Sequence, residues 1–453
     1  MRHAAAEADA GGGEGEGNNN DIISLETRPL KMAQHDPREH IRGLYQLLQS
    51  DKKRIGFLFG AGTSLGTGVQ EVSIPAVAQM TTSVVNTLSA TDAWKVALEQ
   101  IKEEIDDTRY SVESLLTTIE TKREVVGSGQ LNGLDNAGLT ELAKELKREI
   151  GKLASVHDRM NPEQAKSICH MEFAQWVRNA RRRFPIEIFT TNYDYLFEMA
   201  MEASNLPYFD GFSGSYEPFF CAEDVEDMQA YPGLVKLWKL HGSLGWFLRE
   251  RDGVISRDRN ADVGDMLIYP SHLKYRASKK QPYIGLIDRL CEFVQQDDTI
   301  LITCGYSFGD EHINERLMTS LRRGANSHVL AFYFDEWKDA EGQYQYGLAD
   351  KNNALAQLAT NGSQGKLSVL GFRHAVIGGK HGVWSLSAAP NPSESIAIDL
   401  YYDQDAAMPS EEEGEHKGGE VWTGQGRFHL PRFTSMVAFL SDMAPPSTNG
   451  TTE

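Results

Sequence analysis

Cysteine is scarce in this chain, and its spacing argues against the usual cysteine-based sites. Four cysteines occur among 453 residues, namely Cys169, Cys221, Cys291 and Cys304. No two of them have the C-x-x-C spacing of a structural zinc ribbon. Cysteines of this number and spacing fit a reduced intracellular environment, and we expect no metal site built from them.

Long apolar runs and excess positive charge are lacking as well. No run of about 18 apolar residues occurs, so the sequence predicts no transmembrane helix. The first 20 residues, "MRHAAAEADAGGGEGEGNNN", lack the apolar core of a signal peptide and contain too much Glu for a transit peptide. The formal net charge of −19 argues against a broad nucleic-acid surface. We therefore expect a cytoplasmic protein that binds neither membranes nor nucleic acid directly.

Composition divides the chain into three parts. Residues 1–31 are rich in Gly, Glu and Asn, which predicts a disordered extension, and Met32 is a candidate for the true start. Residues 32–390 carry regular apolar patterns and are expected to fold as one domain. Residues 391–453 are expected to form a C-terminal extension, with "PSEEEGEHKGGE" as an acidic loop and "MAPPSTNGTTE" as a frayed tail.

Strand-like and helical runs alternate within the middle part. Helical runs separate several of the strand-like runs, which are "RIGFLF", "IEIFTT", "LVKLWKLHG", "DMLIYP", "TILITCGYS" and "HVLAFYF". This alternation predicts an α/β fold with a doubly wound parallel sheet. Residues 92–183 read as a helical insertion, because segments such as "LTELAKELKREIGKLA" place apolar residues at spacings of three and four.

A glycine-rich turn follows the first long strand. In "GFLFGAGTS", Gly60 and Gly62 stand where a strand passes into a helix. Glycines there can let backbone amides approach a pyrophosphate, or they can simply permit a tight turn. The next glycine, Gly66, comes one position too late for the G-x-G-x-x-G dinucleotide pattern. Both interpretations therefore stay open on the turn alone.

Polar residues also follow the later strands. Asn192 and Asp194 come after "IEIFTT", where Asp194 could cap the next helix or take part in chemistry. His241 follows "LVKLWKL" and could be a general base or a structural histidine. Asp310 lies beyond "TILITC", where it could cap a helix or contact a ribose or adenine.

Four segments, in their order along the chain, together resemble the sirtuin family. They are Gly-Ala-Gly-Thr-Ser, Thr-Thr-Asn-Tyr-Asp, Lys-Leu-His-Gly-Ser and Gly-Tyr-Ser-Phe-Gly-Asp. The resemblance covers roughly residues 50–335 and is most similar to the sirtuin-like domains of bacterial antiphage defence. It implies a Rossmann-like fold, with residues 32–390 as an NAD-binding catalytic domain.

The resemblance also implies roles for individual residues. Asn192 and Asp194 would hold the nicotinamide ribose, and His241 would be the base, so these three form the expected catalytic group. The remaining expected NAD-binding residues are Gly60, Ala61, Gly62, Thr63, Ser64, Thr191, Gly305, Tyr306 and Ser307.

Two features depart from the lysine-deacylase branch of that family. No cysteine pairs occur between His241 and Cys304, so the zinc ribbon is missing. The family's Ile-Pro is present as Ile74-Pro75, but Ala76-Val77 replaces the Phe-Arg that follows it. Without these parts a peptide-binding cleft is not expected. The resemblance then implies the defence branch, which hydrolyses NAD.

The sequence therefore predicts an NAD glycohydrolase that depletes NAD during antiphage defence, with NAD as substrate and without zinc. A non-catalytic sensor of NAD or ADP-ribose and, less favoured, an NAD-dependent protein deacylase are the alternatives. Such an effector must be silent before infection, so we expect a homo-oligomer or a partner to gate it. A HerA-type ATPase and a short prokaryotic Argonaute are candidate partners.

Overall fold

The structure is a computed structural model that describes residues 32–69, 72–107, 110–260, 281–391, 394, 396–405 and 422–443. Four expectations lie outside these residues: the disordered segment 1–31, the strand-like run at 265–270, the acidic loop at 409–420 and the tail beyond Met443. The described residues from Ala33 onward belong to one compact unit.

Strands and helices alternate along the described chain. The strands are β1 Ala33–His35, β2 Arg54–Phe59, β3 Glu187–Thr190, β4 Tyr208–Phe209, β5 Phe212–Ser213, β6 Phe219–Phe220, β7 Val235–Lys239, β8 Trp246–Arg249, β9 Val254–Arg257, β10 Thr299–Cys304, β11 His328–Phe332, β12 Glu336–Lys338, β13 Tyr344–Tyr346, β14 Leu367–Leu370, β15 His374–Ile377, β16 Lys380–Trp384, β17 Tyr402–Gln404 and β18 Gly426–Phe428. The α-helices are α1 Pro37–Gln49, α2 Gly62–Leu65, α3 Val77–Leu88, α4 Asp92–Glu104, α5 Val112–Val125, α6 Asn136–Ala154, α7 Pro162–Ser167, α8 Cys169–Asn179, α9 Leu196–Ala203, α10 Ala222–Glu226, α11 Tyr283–Gln295, α12 Glu311–Arg323, α13 Ala354–Gln357 and α14 Phe433–Asp442.

Ten strands form the main sheet, in the order β1-β16-β15-β14-β11-β10-β2-β3-β7-β4. Every neighbouring pair is parallel except those that involve β15, which runs antiparallel to both β14 and β16. A smaller sheet has the order β5-β6-β9-β8, and two pairs, β12-β13 and β17-β18, stand apart.

Helices cover both faces of the main sheet. Ile55 and Phe57 of β2 pack in one hydrophobic cluster with residues of α1, α3–α6, α8, α9 and α14. Leu58, which points the other way, packs in a second cluster with residues of α10–α13. A central parallel strand buried on both faces requires such an apolar run. The predicted α/β fold with a doubly wound parallel sheet is confirmed.

Helices α3–α8 all lie between β2 and β3, so the helical region begins before residue 92. The apolar stripe predicted on α6 is confirmed, because Leu139, Leu142, Leu146 and Ile150 are buried, and Leu153, the last member of the stripe, is half-buried against the same core. None of the helices in the described part of the chain combines the length and the apolar character that crossing a bilayer requires.

Described residues after position 390 pack in the same core. Phe433, the first residue of α14, is buried, and its ring centroid lies 5.5 Å from that of Phe59 and 5.0 Å from that of His170. This helix therefore supports the strand that leads into the glycine turn.

Candidate active site

Four neighbouring strands end in one row at the carboxyl edge of the main sheet. Phe59 of β2 is level with Thr190 of β3 and with Cys304 of β10, and Thr190 is level with Lys239 of β7. Neighbouring strands lie about 4.8 Å apart, so the turns after these four positions are held close together. These turns carry all of the site residues named from the sequence. In open α/β sheets, ligands bind at this edge where the strand order reverses.

The side-chain amide of Asn192 ties the end of β3 to the turn after β2. Its Nδ2 group, which has two N–H donors, lies within hydrogen-bonding distance of three acceptors, namely the Gly60 carbonyl oxygen (3.1 Å), Thr63 Oγ1 (3.0 Å) and Ser64 Oγ (2.8 Å). Its backbone N–H donates to Thr190 Oγ1 at 3.1 Å. Among the described residues its Oδ1 accepts no hydrogen bond, and this atom is not sealed from solvent. The amide oxygen is therefore the part of Asn192 that can meet a ligand.

The carboxyl group of Asp194 contacts both the start of α9 and the glycine turn. Its Oδ1 accepts a hydrogen bond from the backbone N–H of Leu196, in the first turn of α9, at 3.0 Å. Its Oδ2 accepts one from Ser64 Oγ at 2.6 Å. Asp194 is 3% exposed. Asp194 precedes the N-cap residue Tyr195, so it is not the cap itself, but its carboxyl group contacts the first turn of α9 as well as Ser64.

The two glycine turns pack backbone against backbone. A Cβ on Gly60 would lie 2.6 Å from the Gly305 carbonyl oxygen, and one on Gly62 would lie 2.6 Å from Gly305 Cα. Gly305 itself has φ +64°, which favours glycine. All three glycines are therefore explained by this close approach, whatever else they contact.

Most backbone amides of the first turn already have partners inside the protein. The N–H groups of Gly60 and Gly62 donate to the carbonyl oxygens of Cys304 and Gly305, and those of Thr63 and Ser64 donate within the turn itself. The N–H of Ala61, at the exposed apex, has no partner among the described residues. Helix α2 has only four residues, so its dipole is small.

The other NAD-binding residues named from the sequence lie on both sides of this turn. The half-buried Thr191 donates its backbone N–H to the Phe59 carbonyl oxygen at 3.0 Å. Tyr306 is buried and donates its hydroxyl to Asn314 Oδ1 at 2.9 Å, so this hydroxyl is engaged inside the protein. Ser307 is exposed.

His241 lies just beyond β7 and is paired with an acid. Its Nε2 lies 2.9 Å from Asp310 Oδ2, and the two side chains are 11% and 8% exposed. Asp310 also caps α12, because its Oδ1 accepts the Ile313 N–H at 3.3 Å. The cap predicted from the sequence is confirmed. The contact with His241 was missed, and no spacing along the chain signals it.

A buried lysine supports the loop that carries Asn192 and Asp194. Lys239 Nζ donates to Glu198 Oε1 at 2.8 Å, to the Tyr193 carbonyl oxygen at 3.3 Å and to the Asp194 carbonyl oxygen. Burial raises the pKa of Glu198, and the neighbouring ammonium opposes only part of that rise. The cation thus holds the backbone of the loop against the end of β7.

The helical insertion reaches the site through one side chain. Tyr193 donates its hydroxyl to Glu113 Oε1, near the start of α5, at 3.0 Å. Burial, and then the Glu113 carboxylate, raise the pKa of Tyr193 well above its usual value, so its hydroxyl stays protonated. The Tyr193 ring centroid lies 6.5 Å from that of His241. Glu113 was not named from the sequence, because nothing local connects it to a strand end 80 residues away.

A cavity of about 650 Å³ lies next to this loop. Its walls include Lys239, Tyr195, Trp246 and His157, whereas neither Asn192 nor His241 lines it. Among the described residues, no group of three or more His, Cys, Asp or Glu side chains could hold a metal ion.

One family model matches the part of the chain that carries most of this site. Residues 186–356 match the family model described as "SIR2-like domain". The matched stretch contains Asn192, Asp194, His241 and the turn at Gly305, and it begins after the Gly60 turn. No curated protein sequence matches the chain.

Among the solved structures that match the chain, two show only weak likeness to it. A complex of a Sir2 homolog with NAD is 13% identical, with 66% of this chain and 83% of that chain covered and a TM-score of 0.31. Cytosolic 5'-nucleotidase IIIB bound to cytidine is 12% identical, with 66% and 78% covered and a TM-score of 0.25. Likeness at this level carries no conclusion about the site.

Proposed function

We propose that this protein is an NAD glycohydrolase that converts NAD and water to nicotinamide and ADP-ribose. The observation that carries the proposal is the meeting of three strand ends. Asn192 follows β3 and is bonded to the glycine turn of β2, and His241 follows the adjacent strand β7. The SIR2-like match over residues 186–356 supports an NAD-related activity.

The chemistry of NAD suits a site with an amide and an imidazole. The glycosidic bond between ribose C1' and the nicotinamide nitrogen breaks, and its electron pair neutralises the cationic ring. The leaving group therefore needs no general acid, unlike an ordinary glycosidic oxygen. The site has to stabilise the positive charge that develops on the ribose and to guide a water molecule to C1'.

The two side chains can divide this work. Asn192 presents Oδ1, which can accept a hydrogen bond from a ribose hydroxyl or from the attacking water without changing its charge. His241 can take the proton that the water loses as the new C1'–O bond forms, a contribution typically worth about 10²–10⁴-fold. Asp194 is linked to Asn192 through Ser64, whose Oγ donates to Asp194 Oδ2 and accepts from Asn192 Nδ2.

The residues of this edge can hold a dinucleotide, but few backbone amides of the glycine turn are available to its pyrophosphate. The exposed Ala61 N–H at the apex of the turn can donate to a phosphate, and Ser307 is exposed beyond the neighbouring strand. The N–H groups of Gly60, Gly62, Thr63 and Ser64 are already bonded within the protein. Few turn amides are thus available to a pyrophosphate while the two glycine turns stay packed together.

Purified variants test the proposal directly. We expect Asn192→Ala and His241→Ala to lower NAD turnover by at least about 100-fold, measured as nicotinamide and ADP-ribose by chromatography. Asn361→Ala and His328→Ala are matched controls, because both positions precede or begin strands and so lie towards the opposite edge of the sheet. Both controls should keep wild-type turnover.

Thermal unfolding of each variant separates lost chemistry from lost folding, since Asn192→Ala also removes three buried contacts. Wild-type rates of NAD turnover in folded Asn192→Ala and His241→Ala would reject the assignment as an NAD glycohydrolase. O-acyl-ADP-ribose formed from an acylated peptide would indicate a deacylase. Binding of NAD by the wild type without any turnover would indicate a sensor.

We further propose that the hydrolase serves antiphage defence by depleting NAD, as the motif resemblance implies. The same variants test this role in cells. Cellular NAD should fall after phage challenge in cells that express the wild type together with the products of neighbouring genes, and it should stay constant with His241→Ala. Unchanged NAD in wild-type cells would contradict this role without affecting the enzymatic assignment.

A further inference from the structure

The contact between His241 and Asp310 has a defined chemical consequence. Asp310 Oδ2 lies 2.9 Å from His241 Nε2. A carboxylate oxygen can only accept a hydrogen bond, so the imidazole nitrogen that faces it must carry the proton. A neutral imidazole has one N–H, and its other nitrogen, Nδ1, then holds the free lone pair.

The surroundings of Nδ1 agree with this arrangement. Among the described residues Nδ1 has no hydrogen-bond partner, and it is not sealed from solvent. His241 therefore exposes its proton-accepting nitrogen at the carboxyl edge and turns its N–H towards α12. Without a partner for Nε2, the imidazole could exchange tautomers and rotate.

We propose that Asp310 is a positioning residue that holds His241 with its proton on Nε2, so that Nδ1 is the atom that accepts a proton during turnover. This inference rests on the proposed hydrolysis of NAD and assigns Asp310 a role beyond capping. One carboxyl group performs both tasks, since Oδ1 receives the Ile313 N–H and Oδ2 receives the imidazole.

Two substitutions separate the capping role from the positioning role. Asn and Ser are both good helix caps, so Asp310→Asn and Asp310→Ser should keep α12 and the melting temperature. Asn replaces the acceptor by an amide that can donate to Nε2, which favours the opposite tautomer. Ser is too short to cap α12 and reach Nε2 together. If Asp310 only capped the helix, both variants would be as active as the wild type.

The kinetic test is a double-mutant cycle with NAD as substrate. We expect Asp310→Asn to lower kcat by about 10- to 100-fold, a loss no larger than the lower end of the 10²–10⁴-fold that a general base supplies, with little change in KM. In a His241→Ala background, Asp310→Asn should cause no further loss, because Asp310 acts through the imidazole. An equal loss in both backgrounds, or a wild-type kcat in Asp310→Asn, would overturn the proposal.

Nuclear magnetic resonance of the histidine ring nitrogens gives a readout that needs no turnover. The wild type should show His241 as the Nε2–H tautomer, and Asp310→Asn should shift it towards Nδ1–H. Wild-type protein that shows this tautomer but does not hydrolyse NAD would reject the proposed function and leave the positioning intact. A wild-type signal from the Nδ1–H tautomer would reject the positioning itself.

Discussion

His170 lies on α8, behind the loop that carries Asp194, and its ring is enclosed by aromatic side chains. Its centroid is 4.7 Å from that of Phe197 and 5.0 Å from that of Phe433. The residue is fully buried, and neither ring nitrogen has a partner among the described residues. Burial lowers the pKa of His170 to about 4, and the nearby Asp194 opposes this only weakly.

A pH-dependent stability follows from this histidine. Its pKa is near 6.5 in the unfolded chain and about 4 in the folded protein, so the unfolded state binds more protons between these values. The part of the free energy of unfolding that depends on a neutral His170 is fully present above pH 6.5, and it is lost as the pH falls towards 4. Between pH 7 and pH 5 we expect the free energy of unfolding to drop by about 1–2 kcal/mol more in the wild type than in His170→Leu. Urea unfolding at both pH values measures this, and equal drops would contradict it.

Asp194 and Gly60 show how much of a single residue's role can be predicted from the sequence. The sequence left capping and chemistry open for Asp194, and the structure shows a helix contact and a Ser64 contact on the two oxygens of one carboxyl group. For Gly60 the alternatives were phosphate approach or a tight turn. The structure adds a third reason, close packing against Gly305, which no local pattern could reveal because the two glycines belong to different strands.

Helix α5 is the element that links the insertion to the site. Its Glu113 accepts the hydroxyl of Tyr193, whose neighbours in the chain include Asn192 and Asp194. The contact holds the loop together with Lys239, which binds the carbonyl oxygens of Tyr193 and Asp194 in the same loop. The loop is thus fixed between an insertion helix and a sheet strand.

We expect Glu113→Ala to lower kcat for NAD hydrolysis by about 10-fold, because the loop loses the contact that holds Tyr193. A displacement of the reacting groups by about 1 Å can cost about 100-fold, so a smaller shift of the loop should still be measurable. Glu113→Gln keeps an oxygen acceptor for the Tyr193 hydroxyl and should retain most of the activity. Glu124→Ala, at an exposed position on the same helix, is the control. A wild-type kcat in Glu113→Ala would show that the insertion does not position the loop.

Across the whole molecule, the C-terminal helix α14 completes the core beneath the site. The ring of Phe433 lies against Phe59, Phe197 and His170, and the residue is 3% exposed. Phe59 immediately precedes Gly60, so packing from the far end of the chain bears on the glycine turn. The described part of residues 391–453 therefore shares its core with the sheet.

We expect Phe433→Ala to reduce the free energy of unfolding by about 3–5 kcal/mol, the usual cost of removing a buried phenylalanine. Phe334→Ala is the control, because Phe334 is 51% exposed and should cost less than half as much. Chemical denaturation of both variants measures the difference. Similar losses for the two would mean that α14 adds little to the core.

Local patterns were enough to predict strands β2, β3, β7, β10 and β11 and the turns that carry Asn192, His241 and Gly305, whereas the short strands of the smaller sheet and of the two separate pairs were not predicted. Apolar runs, glycines and polar strand ends are properties of short segments, and alternation of strands with helices implies a parallel sheet whose carboxyl ends share one edge. The contacts between these segments could not be predicted from local patterns. Asn192 meets Gly60 across 132 positions, His241 meets Asp310 across 69 and Tyr193 meets Glu113 across 80. Strand order, register and helix placement decide which side chains touch. These features depend on how the whole chain packs, so they leave no periodic pattern in any one segment.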